Sequence, residues 1–331
     1  MMNNQPLISV IIPVYNGEKF LPGCLDAIAS SSYKKYELIV VDDGSTDDSA
    51  RISRERGALV LKMSRQSGPA GARNFGAQKA RGEVLLFVDA DVVVKPDTLE
   101  RVASNSIKHP EIAAVFGSYD DEPAEKNFIS QYKNLFHRFV HQQSRIEAAT
   151  FWAGCGAIRR DVFLAMDGFN AERYPRPAIE DIELGYRMRT NGHRILLDKQ
   201  LQAKHLKRWT LRSMLHADIF CRAVPWSMLI FESKGLLNDL NLQTSDRISV
   251  GLLGLSMVML PFSVFRPELL LLIVVMLALI AVLNHKLYRF FVNRKGIAFA
   301  ILAFPLHLFY YLYSAVTFVL CWFTYQLRRQ T

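Results

Sequence analysis

The sequence places two carboxylates directly after an apolar run, in an arrangement that suits a divalent cation. Asp89 and Asp91 follow residues 85–88, which read Leu-Leu-Phe-Val. Such a run is typical of a strand that is buried on both faces inside a parallel sheet. Open α/β sheets bind their ligands at the carboxyl ends of strands. Because Asp is also common in turns and at helix N-caps, the motif alone leaves a turn and a metal site equally open.

Other charged residues occupy comparable positions. Asp42 and Asp43 end a second apolar run, Arg73 lies in a predicted helix, and Glu180 with Asp181 begins a later helix. Mg²⁺-like ions take one or two protein carboxylates and complete their octahedron with waters and substrate phosphates. The set therefore predicts a diphosphate-bearing substrate, whose leaving group the metal neutralises. A separate carboxylate would act as general base toward an incoming hydroxyl.

The elements that position these residues alternate as β-α-β-α-β-α-β. We predict strands at 7–14, 37–41, 58–63 and 85–88, and helices at 18–32, 47–56 and 68–80. This alternation predicts an α/β fold with a parallel, doubly wound sheet, in which the polar strand ends line one cleft. A helix at 97–108, a strand at 112–116, a helix at 128–146 and a helix beginning near 179 complete the predicted domain.

Composition and missing motifs exclude several classes of protein. The 331 residues allow one large domain or two modest ones, and a net charge of +9 fits nucleic acid, a membrane surface or a phosphorylated substrate. The apolar C-terminal part favours the membrane and disfavours nucleic acid. No P-loop, dinucleotide-binding glycine motif or nucleophile elbow is present. The four cysteines are far apart and indicate neither a zinc site nor a disulfide framework.

The C-terminal part of the sequence predicts membrane attachment. Residues 199–222 are basic with interleaved aromatics, which is typical of a segment on a membrane surface. Three apolar stretches, 248–265, 268–284 and 297–325, are predicted spans. The four Lys and Arg residues of 285–295 place that segment on the cytosolic side, and the absence of a signal-type N-terminus keeps the first domain in the cytosol. For the last stretch we favour a single span over a re-entrant hairpin.

Five motifs in register resemble the family 2 glycosyltransferases of the GT-A fold. They are residues 9–17, 40–47, 71–74, 89–91 and 180–181. The resemblance covers residues 1–205 and implies a GT-A domain with a nucleotide-binding half, 1–115, and an acceptor half, 116–205. A basic amphipathic interfacial segment, 206–247, and a transmembrane region, 248–327, would follow it.

The resemblance implies metal-dependent, inverting transfer from a UDP- or GDP-sugar, with Mg²⁺ or Mn²⁺ as cofactor. Tyr15 would stack on the base, Asp43 would hydrogen-bond it, and Asp89 would face the ribose or diphosphate. The remaining donor-binding positions that it implies are Pro13, Asn16, Asp42 and Arg73. Asp91 would hold the metal, with Asp89 and His205 as further ligands. Glu180 and Asp181 would be the catalytic residues, with Asp181 as the base, and the acceptor side would comprise Trp152, Gly154, Cys155 and Gly156.

Each of these roles competes with a purely structural interpretation of the same residue. A first helical turn favours an acid such as Asp181 through the helix dipole, without any catalytic role. The structural interpretations of the remaining residues are Tyr15 as a strand-end aromatic, Asp43 as a turn cap with Asp47 as the helix N-cap, Arg73 as the partner of a helix carboxylate, His205 as a surface or interface histidine, and Trp152 as a core residue.

The sequence thus predicts a multi-pass enzyme of the inner (cytoplasmic) membrane with a cytosolic catalytic domain, acting in cell-envelope glycan or glycolipid biosynthesis. It would move one sugar to a lipid-linked or membrane-proximal hydroxyl. Two competing hypotheses are a small processive polysaccharide synthase, or a subunit of one, and a non-catalytic nucleotide-sugar-binding scaffold. Membrane polymerases of this family carry Q-x-x-R-W before their last spans, where residues 222–226 of this chain read Arg-Ala-Val-Pro-Trp. This departure disfavours the synthase.

Overall fold

A computed structural model describes residues 5–233 and 243–329 of the chain. The chain divides into two compact units, Met1–Trp209 and Thr210–Thr331. The first unit is an α/β structure and the second is helical. Residues 234–242, within the predicted interfacial segment, lie outside the described residues.

The first unit builds one mixed sheet flanked by helices. Its strands are β1 (Ile8–Val14), β2 (Tyr36–Asp42), β3 (Leu59–Lys62), β4 (Val84–Val88), β5 (Val92–Val94), β6 (Ile112–Tyr119), β7 (Glu147–Ala148), β8 (Cys155–Arg159) and β9 (Arg194–His205). Its helices are α1 (Leu21–Ala29), α2 (Ser49–Glu55), α3 (Gly68–Lys79), α4 (Thr98–Lys108), α5 (Phe128–Gln143), α6 (Arg160–Ala165) and α7 (Glu180–Thr190).

The strand order is β3-β2-β1-β4-β8-β6-β9-β5, with β7 paired to β9 outside this path. Strands β1 to β4 are parallel, as predicted. The prediction of a wholly parallel sheet is wrong beyond β4, because β8 runs antiparallel to both β4 and β6, and β5 runs antiparallel to β9. Parallel neighbours need a crossover of a dozen or more residues. Only residues 89–91 separate β4 from β5, so β5 pairs elsewhere.

Strand β4 lies at the centre of the sheet and is buried on both faces, as its apolar run predicts. Leu86 and Val88 belong to one hydrophobic core, and Leu85 and Phe87 belong to the core on the opposite face. The Phe87 ring lies 5.2 Å from the rings of both Phe163 and Phe169. This double burial fixes where β4 ends, and therefore where Asp89 and Asp91 begin.

Two local predictions need correction. The N-cap position of α2 is Asp48, whereas Asp47 accepts hydrogen bonds from the backbone of Glu18 and Ser49 and thus links two loops. The twelve-residue strand β9 was not predicted, because its sequence mixes apolar with many charged and amide residues.

The described residues of the second unit are almost all helical. Its helices are α8 (Leu211–His216), a π-helical segment (Ala217–Ala223), α9 (Val224–Ser233), α10 (Thr244–Phe262), α11 (Glu268–Leu283), α12 (His285–Lys295) and α13 (Ile297–Arg328). By length and composition, three helices of the described chain could cross a membrane: Leu211–Ser233, Thr244–Phe262 and Ile297–Arg328. The number rises to four if α11 and α12, bent by 69°, form one span.

These helices differ from the predicted spans at 211–233 and at 268–284, where α11 qualifies only together with α12. Leu211–Ser233 falls in the segment predicted to be interfacial, yet it is long and apolar enough to span. Residues of the third predicted span form a single helix of 32 residues with Pro305 inside it. That helix shows no reversal of the kind that a re-entrant hairpin requires.

Close packing at Gly117 provides a test of the sheet. A Cβ atom at Gly117 would lie 1.9 Å from the carbonyl oxygen of Leu201 on the neighbouring strand. We expect Gly117→Ala to lower the free energy of unfolding by about 1–3 kcal/mol or more. The control is Gly23→Ala in α1, where a Cβ would meet only side-chain atoms at 3.5 Å or beyond. There, a gain of about 0.5–1 kcal/mol is expected from helix propensity.

Both variants are measured by denaturant unfolding of the purified full-length chain. Equal stability of Gly117→Ala and Gly23→Ala would contradict the register of β6 against β9.

Candidate active site

The turn after β1 is held by the loop that follows β2. Asn16 has a φ of 51°, its side-chain oxygen accepts a hydrogen bond from the Thr46 backbone at 2.8 Å, and its own N–H donates to Ser45. The neighbouring Tyr15 ring is 50% exposed, and Pro13 lies within β1 opposite Val41. An exposed ring on an ordered turn is accessible for stacking on a nucleotide base. The stacking role of Tyr15 stays a prediction.

Asp42 and Asp43 are both buried, but they accept hydrogen bonds from different loops. Asp42 accepts a hydrogen bond from the Ser45 backbone at 2.9 Å. Asp43 accepts from the backbone N–H groups of Ser67 and Gly68, each at 2.8 Å, and from the Ser67 hydroxyl at 3.1 Å. It therefore anchors the start of α3. A carboxylate offers about four lone-pair sites, so one remains on Oδ2 for the base contact that the family resemblance implies.

Arg73 is a buried cation between two carboxylates. Its Nη2 donates to Asp89 at 2.6 Å and its Nη1 donates to Glu180 at 2.8 Å, so it is the partner of a helix carboxylate, as its structural interpretation predicts. Burial opposes its charge, but the negative charges of Asp89 and Glu180 outweigh burial and raise the pKa of Arg73. This side chain joins the end of β4 to the start of α7.

The adjacent acids Glu180 and Asp181 face different surroundings. Glu180 is buried and accepts hydrogen bonds from Arg73 and from the Ala178 backbone. Asp181 is partly exposed and accepts from the backbone N–H groups of Ala153 at 3.0 Å and Ile182 at 2.8 Å. Burial first, and then the charge of Glu180, raise the pKa of Asp181 to about 6. A carboxylate with this pKa is a competent general base near neutral pH.

The loop before β8 contacts the backbone of Asp89 and the carboxylate of Asp181. The Gly154 carbonyl accepts from the Asp89 N–H at 3.2 Å, while the N–H of Ala153 donates to Asp181. A Cβ at Gly154 would lie 2.5 Å from the Trp152 ring, and one at Gly156 would lie 2.3 Å from the Trp152 carbonyl oxygen. Both glycines are thus required by Trp152 itself, and sugar binding at this loop stays a prediction.

Trp152 is half-buried and packs against other rings. It lies 4.9 Å from Tyr119, 5.5 Å from His141 and 5.8 Å from His137 between ring centroids. Cys155 is buried in β8 opposite Val88, and burial, followed by the nearby Asp89 charge, raises the pKa of its thiol to about 12. A thiol with that pKa stays protonated at neutral pH.

Asp91 lies beside His205, at the point where β5 pairs with β9. His205 Nε2 lies 3.3 Å from Asp91 Oδ2, and the His205 ring is 6% exposed. The interpretation of His205 as a surface histidine is therefore wrong. Burial alone would raise the pKa of Asp91, but the hydrogen bond and charge of His205, together with Lys207, hold it below its ordinary value.

Two residues that the sequence did not single out orient His205. Its Nδ1 lies 2.8 Å from the side-chain oxygen of Asn134, and the Tyr119 ring stacks on it at 4.6 Å with an interplanar angle of 14°. A bond to the Asn134 oxygen requires a hydrogen on Nδ1, so Nε2 would carry a lone pair in the neutral ring and would donate to Asp91 in the charged ring. The only signal in the sequence is that Asn134 is a polar residue of an amphipathic helix, which does not indicate a partner 71 positions away.

The donor set at Asp91 and His205 fits a divalent cation. In the neutral ring, the Nε2 lone pair and the Asp91 oxygen, which lie 3.3 Å apart, would both be available as ligands of a cation. In the described chain no group of three or more His, Cys, Asp or Glu side chains could hold a metal ion. Two protein ligands suffice for an ion that keeps waters and substrate phosphates. Of the Asp89 carboxylate, Oδ1 is already bound to Arg73.

Comparison with known proteins decides the family. The model of "Glycosyl transferase family 2" matches residues 9–166. An "Uncharacterized glycosyltransferase" of Haemophilus influenzae is 30% identical over 183 residues, which are 54% of this chain and 70% of that protein. The chain belongs to the family 2 glycosyltransferases. This confirms the predicted family and its glycosyltransferase class.

Two further proteins extend the comparison of this family 2 glycosyltransferase. The undecaprenyl-phosphate 4-deoxy-4-formamido-L-arabinose transferase of Shewanella sediminis is 28% identical over 177 residues, which are 50% of this chain and only 53% of that relative. The mannosyltransferase PcManGT of Pyrobaculum calidifontis, solved with GDP-Man and Mn²⁺, superposes with a TM-score of 0.56 at 18% identity, covering 96% of this chain and 88% of that one. The structural likeness confirms the predicted GT-A fold.

Removing the Arg73 side chain should destabilise the protein, because Asp89 and Glu180 would lose the cation that they share. We expect Arg73→Met to lower the free energy of unfolding by about 3–5 kcal/mol. The matched control is Arg51→Met, since Arg51 also contacts two carboxylates, Asp48 and Glu55, but is 57% exposed. There little or no loss of stability is expected, because exposed ion pairs are screened by solvent. Denaturant unfolding followed by intrinsic fluorescence measures both.

A third variant separates charge from packing. Adding Glu180→Gln to Arg73→Met removes one of the orphaned charges and should recover part of the stability. Equal losses for Arg73→Met and Arg51→Met would show that the buried ion pairs do not hold this site together.

Proposed function

We propose that the protein is a membrane-anchored, metal-dependent, inverting glycosyltransferase. It transfers one sugar from a nucleoside diphosphate sugar to a lipid-linked or membrane-proximal hydroxyl at the cytosolic side of the inner membrane. The observation that carries this proposal is Asp181, a partly exposed carboxylate with a pKa of about 6. It is bound to the same loop that touches Asp89.

In this mechanism Asp181 accepts the proton of the acceptor hydroxyl. The acceptor oxygen then forms a bond to the anomeric carbon from the face opposite the diphosphate, and the carbon–oxygen bond to the diphosphate breaks, which inverts the configuration. Asp91 and His205 would hold a divalent cation, which when bound neutralises the charge of the leaving diphosphate. Arg73 fixes Asp89 and Glu180 and so keeps both sides of the site in place.

The relatives support the choice of donor, metal and acceptor. PcManGT was solved with GDP-Man and Mn²⁺, which agrees with a nucleotide sugar and a divalent cation. The name of the Shewanella relative contains undecaprenyl phosphate, a phosphorylated lipid, which agrees with a lipid-linked acceptor for this chain. The long apolar helices of the second unit support membrane anchoring.

The proposal is tested by incubating membranes that contain the protein with radiolabelled UDP- and GDP-sugars. Transfer of label into lipid-extractable material, lost on Asp181→Asn, is expected. Transfer that survives Asp181→Asn unchanged would contradict the assigned base.

The pKa of Asp181 sets an expected pH profile. Because the base must be deprotonated, kcat/KM should be level above pH about 6 and fall tenfold per unit below it. Asp181→Asn should lower kcat by roughly 10²–10⁴-fold while leaving donor affinity unchanged. Asp161→Asn, a first-turn acid of α6 paired with Arg159 at the surface, is the matched control and should keep both rate and profile.

The Asn134–His205 contact predicts how the metal site responds to substitution. Asn134→Leu removes the acceptor that holds the hydrogen on Nδ1, so Mn²⁺ affinity should fall about 10–100-fold. Asn134→Asp keeps an acceptor there, so affinity should be retained. Mn²⁺ titration followed by electron paramagnetic resonance measures binding directly. A loss in Asn134→Asp as large as in Asn134→Leu would show that the amide donates to His205 rather than accepting from it.

A further inference from the structure

The helix α12 carries basic charge and no acidic residue. Its basic side chains, all exposed, are His285, Lys286, Arg289, Arg294 and Lys295. Lys286 and Arg289 stand three positions apart, so they lie on one face of the helix. Eleven residues thus present a concentrated positive surface about 16 Å long.

The opposite face of α12 is already covered by the protein itself. Leu287 and Phe291 are buried at 2% and 0% exposure, four positions apart. The Phe291 ring lies 5.4 Å from Phe299, and the Tyr288 ring lies 5.6 Å from Phe304, both on α13. The helix is therefore docked through Leu287 and Phe291. Lys286 and Arg289 point away from this contact, and Arg294 and Lys295 are exposed in the last turn.

The break between α11 and α12 is fixed by hydrogen bonds. Asn284, at the break, donates to the Ser249 hydroxyl of α10 at 3.0 Å and accepts from the Tyr311 hydroxyl of α13 at 2.9 Å. Because helices α10 and α13 both bind Asn284, these hydrogen bonds fix the 69° bend between α11 and α12.

The two neighbours of α12 determine its depth in a membrane. The helix α11 is apolar up to Leu283, and only Gly296 separates the end of α12 from the apolar helix α13, which begins at Ile297. If α12 continued the span of α11, four Lys and Arg side chains would enter the hydrocarbon, where such residues are among the most costly. The bend instead keeps α12 beside the ends of both apolar helices, at the level of the headgroups.

We propose that α12 is a binding surface for the phosphate groups of anionic phospholipids. This inference rests on the membrane anchoring proposed above. Charge complementarity identifies the occupant: a tethered helix with outward Lys and Arg side chains and no competing carboxylate of its own meets the phosphates of an anionic bilayer surface first. Lys supplies a point charge and Arg a bidentate donor pair for these phosphates.

The test uses the full-length protein in nanodiscs of phosphatidylcholine containing increasing phosphatidylglycerol. Native mass spectrometry counts the lipids that stay bound. The protein should retain phosphatidylglycerol in preference to phosphatidylcholine, and the preference should weaken as NaCl is raised. A combined variant, Lys286→Gln, Arg289→Gln, Arg294→Gln and Lys295→Gln, should lose the preference at least tenfold, since each charge is worth roughly fivefold.

A matched control removes four exposed basic side chains of the first unit: Lys34→Gln, Arg54→Gln, Lys62→Gln and Lys79→Gln. It changes the net charge equally and should keep the preference. A wild-type protein without preference, or an α12 variant that retains it, overturns the inference. Soluble glycerol phosphate that competes as well as the lipid also overturns it, because the site would then be a general anion site.

A separate experiment tests the membrane anchoring on which this inference rests. A wild-type chain that a carbonate wash removes from membranes contradicts anchoring itself. An α12 variant that stays in the membrane, with an unchanged unfolding temperature but without lipid preference, isolates the effect to the cationic face.

Discussion

The site depends on one buried interaction, the guanidinium of Arg73 between Asp89 and Glu180. A buried charge is tolerated only when it is paired and hydrogen-bonded, and Arg73 meets both conditions while lying over the Phe169 ring at 5.5 Å. Its two partners come from the end of the central strand and from the first turn of α7. The ion pairs therefore place Asp181, the next residue along α7, relative to the carboxyl end of β4.

Because of this arrangement, the neighbouring acids Glu180 and Asp181 differ in their burial and in their hydrogen-bond partners. Glu180 is neutralised by Arg73 and is buried, so it acts as part of the scaffold. Burial first, and then the charge of Glu180, raise the pKa of Asp181 to about 6, although the two backbone N–H groups that donate to it act in the opposite direction. Two consecutive residues thus differ because Glu180 is bound to Arg73 and Asp181 is not, which leaves Asp181 as the candidate base.

The sequence was informative where chemistry is local. The apolar run of β4, the carboxylates after it, and the five motifs predicted the parallel half of the sheet and the residues that gather at its edge. Asn134 and Tyr119 were not found, because their importance comes from α5 and β6 lying against β9, which is 71 residues away in sequence for Asn134 and about 80 for the β6–β9 pairing. The antiparallel insertion of β8 was missed for the same reason, since strand order is decided by tertiary packing rather than by periodicity.

The backbone of the loop 152–156 contacts both Asp89 and Asp181. Its Gly154 carbonyl holds Asp89 and its Ala153 N–H holds Asp181, so consecutive residues touch the donor side and the proposed base. Backbone groups have no rotamers, and this loop is further fixed by Trp152 packing against Gly154 and Gly156. In-line attack tolerates little error in the distance between nucleophile and leaving group. A shared backbone element sets that distance more reliably than two independently mobile side chains would.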